Sequence, residues 1–334
     1  MTWVPFDIAA VSRWLADRGL IADGIEVRRV GDGLSNLTYT VTDGQTTVVL
    51  RRPPPPPLPP GANDMGREAR ILAALAGTGV PVPRVLAVAA PGEVMDVGCY
   101  VMEYLDGVVP GGALPPALDS PAGRAGTAAA FIDVLAVLHR LDWRALGLSD
   151  LGRPDGFLAR QLTRLPRLIA PEGQPLPPGF GRLRDGLQNT LPPARETALL
   201  HGDYRLGNVM LDRDSPARVT GVLDWELAGV GDPLADLGYT LATWAVPGEP
   251  PHALTAMSAL TLEPGFHGRE ELAARYARQT GADLAHLPWY QAFALFKLAV
   301  LFEYNRRKAD ADPYYRDPAL VAGLLAASAR TLGC

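Results

Sequence analysis

Asp203 and Asn208 stand five residues apart in the run Leu199 to Asp212, LLHGDYRLGNVMLD, and Asp224 ends the apolar stretch VTGVL that follows it. Two carboxylates and an amide among residues suited to short core strands are costly unless they are paired or put to use. Pairing VTGVL with VMLD would bring the Asn208 amide oxygen and the Asp224 carboxylate together, leaving Asp203 to face a substrate. Hard oxygen ligands of this kind suit Mg²⁺, which keeps several waters and takes the rest of its shell from phosphates. Each residue alone is an ordinary turn or strand-end residue, and it is their combination that suits a metal carrying phosphates.

The elements around them must form two lobes. A first amphipathic helix in MTWVPFDIAAVSRWLADRGL is followed by three β-strand patterns, IEVRRV, LTYTVT and TTVVLRR, with Asp43-Gly44 as a hairpin turn. RRPPPPPLPPG, from Arg51 to Gly61, is neither helix nor central strand, because proline fixes φ and donates no amide hydrogen bond, so it is an extended spacer. A helix follows from Asn63, capped by Asn63 or Asp64, and then two more strands, VPRVLAVAA and GCYVMEYLDG. From about Pro121 the pattern is helical, interrupted by strand-like Ala198 to Asp236. The expected division is residues 1–104 and 105–334.

The chain has 334 residues, with 31 basic and 36 acidic side chains and a net charge of -5, which advertises no nucleic-acid surface. The N-terminus has no signal-peptide pattern. The longest apolar run, Trp289 to Asn305, is broken by Lys297 and falls short of the roughly 20 residues of a membrane span, so it reads as a buried helix. Two cysteines, Cys99 and Cys334, make neither a disulfide framework nor a zinc site, and a cytoplasmic location is the expectation.

His201-Gly202-Asp203 with Asn208, then Asp224, resembles the catalytic signature of the aminoglycoside phosphotransferase and choline kinase group, which shares the protein-kinase-like fold. VLRRPP, GREARILAAL, DLGRPDGFLARQL and VLDWELAGVGDPLADLGY extend the resemblance to the phosphotransferase domain that occurs alone in bacteria and fused to certain acyl-CoA dehydrogenases. The resemblance implies an α+β, bilobal fold. A small antiparallel sheet with one main helix would form the nucleotide-binding lobe, and a larger helical lobe with a short β insertion would follow it.

It implies ATP and Mg²⁺ as cofactors and a small-molecule hydroxyl acceptor as partner, with no nucleic acid and no membrane. Asp203 would orient the acceptor hydroxyl and take its proton, while Asn208 and Asp224 would hold the metal. Arg205 stands where kinases often carry a lysine near the γ-phosphate, and is otherwise a surface arginine of the loop. Gly31, Gly33, Ser35 and Asn36 would cover the phosphates. Arg51, with Val49 on its face, would replace the phosphate-binding lysine, paired with Glu68. Met102 would guard the adenine pocket and the backbone of Glu103, Tyr104 and Leu105 would bind the ring. His201 would brace the turn, and Asp236 would cap the next helix or tie down the loop.

The acceptor pocket is expected in the helical insert from Leu114 to Pro193 and the C-terminal helices, with Arg153, Arg160, Gln161 and Trp244 as contacts. The arginine-rich, apolar insert favours an anionic or acyl-bearing acceptor, such as a hydroxyacyl thioester, over an aminoglycoside or choline. Two other readings remain. One is a catalytically inactive nucleotide-binding module, suggested by arginine at the lysine position. The other is a glycoside hydrolase using Asp203 and Glu226, which gives the glycine loop and interlobe segment no role.

Overall fold

A computed structural model describes residues 4–31, 36–58, 63–171, 174–215, 217–250, 252–308 and 312–333. The chain divides into two compact units, Met1–Asp106 with Thr220–Glu226, and Gly107–Val219 with Leu227–Cys334. Unlike a single cut after Tyr104, this division gives Asp224 and Glu226 to the first unit.

In the first unit, Asp7 caps helix α1 (Ile8–Ala16) by accepting a hydrogen bond from the Ala9 amide. Strands β1 (Glu26–Val30), β2 (Leu37–Thr42), β3 (Thr47–Arg52), β4 (Val85–Ala89) and β5 (Cys99–Glu103) form one antiparallel sheet in the order β1-β2-β3-β5-β4. Alternation does the work in β2, where Leu37, Tyr39 and Val41 are buried and the threonines between them are not. With Val48, Leu50, Val101 and the α1 residues Val11 and Leu15 they make the core. Val49, Arg51 and Met102 fall on the other face of the sheet by the same period of two. Helix α2 (Met65–Leu75) is capped by Asp64, not Asn63, and carries Glu68 buried in its first turn. Val222 donates its amide to the Pro81 carbonyl at 2.7 Å, tying the 220–226 segment into this unit.

The second unit contains helices α3 (Pro121–His139), α4 (Phe157–Arg164), α5 (Phe180–Asn189), α6 (Pro233–Thr243), α7 (Ala253–Met257), α8 (Arg269–Thr280), α9 (Leu287–Arg306) and α10 (Pro318–Leu332). Its strands are β6 (Ala198–Leu200), β7 (Val209–Leu211) and β9 (Gly229–Gly231), while β8 (Val219–Val222) starts in this unit and ends in the first. β6 and β9 pair antiparallel, with Leu199 opposite Val230. By length and composition α3 is apolar enough to cross a membrane. Its residues Ala128, Phe131, Ile132, Leu135 and Leu138 are nonetheless buried, as in a core helix. Phe131 stacks on Tyr204 at 4.7 Å and on Trp244 at 5.6 Å.

Helices α6 and α9 approach closely because position 238 is glycine. A Cβ there would lie 2.6 Å from the Tyr290 backbone carbon, a distance no folded chain tolerates.

Candidate active site

Arg51 centres the polar group of the first unit. Its Nε lies 3.0 Å from a Glu68 carboxylate oxygen, Nη1 donates to Thr38 Oγ1 at 3.2 Å, and Nη2 donates to Asp224 and sits 3.8 Å from Glu226. Burial works against the charged guanidinium, yet Glu68, Asp224 and Glu226 hold its pKa above the ordinary value. Burial pushes the Glu68 carboxyl up, and Arg51 opposes this. Arg52 points elsewhere. It is fully buried, donates to the Pro53 carbonyl at 2.9 Å and to the Pro5 carbonyl, and pairs with Asp96, so it anchors the start of the proline run.

Asp224 adopts a φ of +65°, a left-handed conformation that Asp tolerates better than most residues and that clusters at functional sites. The expected phosphate loop begins at Gly31, whose φ is +72°, while Gly33 and Ser35 lie outside the described residues. Asn36 departs from expectation. Its buried side chain donates to Glu226 Oε2 at 2.8 Å and accepts from Asn63 Nδ2 at 2.8 Å, so it braces Glu226 instead of offering an amide to a ligand.

Val49 and Met102 are buried opposite one another on β3 and β5. The Glu103 amide donates to the Arg84 carbonyl at 2.9 Å, so any backbone contact of Glu103 with an adenine ring falls to its carbonyl. Tyr104 and Leu105 continue past the strand, with Tyr104 exposed.

In the second unit the run from His201 to Asn208 is a loop held by its neighbours. The Asp236 carboxylate, in the first turn of α6, accepts from the His201 amide at 2.6 Å and the Gly202 amide at 3.0 Å. His139 Nε2 lies 3.4 Å from the same carboxylate. Burial alone would raise the Asp236 pKa, but His139 and these amides bring it below the ordinary value. Asp236 thus ties down the loop, while Asp232 is the residue that caps α6. Buried His201 accepts the Asp203 amide on Nδ1 at 3.2 Å, the bracing role expected of it. Gly202 has a φ of +84°, and a Cβ there would lie 2.4 Å from the Leu227 carbonyl oxygen, so glycine is required.

Asn208 donates from Nδ2 to both the Asp203 carbonyl and Oδ2, each at 2.8 Å. That orientation turns its Oδ1, a hard ligand atom, away from Asp203. Asp203 Oδ1 accepts from the Tyr239 hydroxyl and lies 3.5 Å from Arg205 Nε. Arg205 therefore attends Asp203 and is no stray surface residue. Tyr239, missed in the sequence, sits three residues after Asp236 and so on the same face of α6.

Asp203 opens on a cavity of about 470 Å³ walled largely by apolar residues, among them Leu254, Leu298, Leu301, Phe302 and Tyr315. This is the size of small-molecule sites, roughly 300–1,000 Å³. The four expected acceptor contacts do not line it. Trp244 is packed into the core between Phe131 and Phe266, and its Nε1 donates to the His267 carbonyl. Arg160 donates to the Arg153 carbonyl within an exposed turn, and Gln161 follows it on α4. No described residue of the Leu114 to Pro193 insert lines it; the wall comes from α6, α7 and, among the expected C-terminal elements, α9 and the segment before α10.

The two units have the fold of the protein-kinase-like phosphotransferases. Residues 26–293 match the phosphotransferase enzyme family, and the chain belongs to it. It is 35% identical over 292 residues to the chicken (Gallus gallus) acyl-CoA dehydrogenase family member 11, covering 83% of this chain and 36% of that one. The chain spans about a third of the length of the curated relatives it matches. An aminoglycoside-phosphotransferase-like protein from Ralstonia eutropha JMP134 superposes with a TM-score of 0.81 at 28% identity, over 98% of both chains. An aminoglycoside phosphotransferase in complex with ADP and hygromycin B has a TM-score of 0.62 at 15% identity, over 96% of this chain and 98% of that one.

Proposed function

We propose that the protein is an ATP- and Mg²⁺-dependent O-phosphotransferase acting on a hydroxyl of a small metabolite, a hydroxyacyl thioester being one candidate. The observation that carries this reading is the Asp203 carboxylate, fixed by Tyr239 and Asn208 at the wall of a largely apolar cavity. Asp203 orients the acceptor hydroxyl and accepts its proton, Arg51 neutralises phosphate charge, and Arg205 steadies Asp203 as charge develops. The Asn208 Oδ1 and the Asp224 carboxylate are oxygen donors of the type Mg²⁺ takes, and these two residues would hold it. Bound there, the metal supplies charge neutralisation on the phosphates. The Tyr104–Leu105 backbone offers the adenine contacts. The family membership and a structural relative holding ADP support ATP as donor.

Because phosphoryl transfer passes through a loose transition state, positioning outweighs base strength. Asp203→Asn is expected to lower turnover about 10²–10⁴-fold, with the fold retained by circular dichroism and a melting temperature reduced only by the loss of one acceptor oxygen. An ATP-coupled screen of hydroxylated acyl thioesters, hydroxy acids, sugars and amino alcohols supplies the assay. Wild-type turnover in Asp203→Asn would refute the assignment.

A second reading, nucleotide binding without transfer, draws on Arg51, which stands in place of a lysine and is bound to Asp224. Strong stabilisation by ATP with no turnover on any hydroxyl acceptor would favour it.

A further inference from the structure

Lys297 is the one charged residue in the apolar middle of α9, and it lines the cavity beside Asp203. Its Nζ donates to the Gly202 carbonyl at 3.0 Å and lies 5.5 Å from the Tyr239 ring centre. An ammonium has three donors, and among the described residues the Gly202 carbonyl is its only hydrogen-bond acceptor. Holding a cation in an apolar wall with two donors unserved costs free energy unless something else meets them.

The charges around the cavity say what that is. Among the described residues Asp203 is the only carboxylate lining it, and both its oxygens are already bonded by Tyr239 and Asn208. Lys297 and Arg205 are the cations. One negative charge against two positive disfavours a polycation and favours a ligand that brings an oxygen acceptor. Leu227, Leu254, Leu298, Leu301 and Phe302 offer an apolar body its contacts, beside the neutral polar side chains of Thr243, Ser258 and Asn305.

We propose that Lys297 is the specificity-determining residue of the acceptor pocket: its ammonium binds a carboxylate or carbonyl oxygen of a molecule whose hydroxyl lies at Asp203 and whose apolar chain fills the remaining cavity. The proposal rests on the phosphotransferase reading for the role of that hydroxyl. The contact itself is independent of turnover and is tested by binding alone.

Octanoate, octanamide and octylamine share a chain and differ in the group offered to Lys297. Isothermal titration of the intact protein is expected to give octanoate at least tenfold tighter binding than octylamine. Octanamide falling between them identifies a carboxylate as the preferred group, and octanamide equal to octanoate identifies a carbonyl. Lys297→Met abolishes the preference and Lys297→Arg keeps it. Lys297→Gln, which removes the charge but can still donate to Gly202, replaces the Met variant if that chain does not fold. Octylamine binding as tightly as octanoate, a preference that survives in the Met or Gln variant, or no binding of any probe overturns the proposal. Nucleotide titration and the Asp203→Asn assay report separately on phosphotransfer.

Discussion

Arg51 faces three carboxylates, and its hydrogen bonds go to two of them, Glu68 and Asp224. Glu68 is 2% exposed, and its charge is met by the Arg51 guanidinium, with Tyr100 as a further hydrogen-bond partner. Arg51→Ala leaves it buried and uncompensated, and equilibrium urea unfolding should show a loss of about 3–5 kcal/mol. Arg51→Lys restores the charge without the planar fork and should recover more than half of that loss. Equal stability of the Ala variant and the wild type would contradict the buried pairing. Asp203 and Asn208 were legible in the sequence because their contact is local, across a turn of five residues. Tyr239 and Lys297 reach the same loop from 36 and 95 residues away, and nothing in the local pattern marks so distant a contact. Trp244 misled for the opposite reason, since an aromatic residue near a polar motif has the same letter whether it lines a pocket or fills a core.

At the scale of elements, α6 is the support of the catalytic loop, through Asp236 at its start and Tyr239 a turn later. Asp236→Asn removes the charge and one of two acceptor oxygens that meet the loop amides, and should cost about 1–3 kcal/mol. The pH dependence has a definite sign. Because the folded Asp236 pKa is depressed, its contribution is fully present above the unfolded value, about 3.9, and is lost as pH falls toward the folded one. Melting curves between pH 6 and 3 should therefore fall more steeply for the wild type than for Asp236→Asn, and parallel curves would refute the coupling. Strands β1 to β5 and helices α1 and α2 were readable because β-forming runs, the alternation of β2, the Asp64 cap of α2 and the Asp43-Gly44 turn agree locally. The walls of the cavity beside Asp203 were readable only as the C-terminal helices and not residue by residue, because α9 is apolar nearly all round and its periodicity does not separate cavity from core.

At the scale of the whole chain, nucleotide binding and folding are linked, since a ligand that binds only the folded state stabilises it. At 100 times its dissociation constant, Mg·ATP should add about 2.7 kcal/mol, read as a rise in melting temperature. EDTA, or Asp224→Ala, should remove the metal-dependent part, and a shift indifferent to both would exclude Asp224 as a ligand. The family match extends over most of the chain, while the cavity beside Asp203 is walled by a few residues of the second unit. There the absent side chain of Gly238 has a consequence for divergence. The hydrogen atom at that position gauges how far α6 stands from α9, and hence whether Tyr239 can hold Asp203 while Lys297 holds its neighbour Gly202. With that gauge kept, substitutions at Leu298, Leu301 or Phe302 would change the shape of the cavity while the contacts that hold Gly202 and Asp203 stay in place.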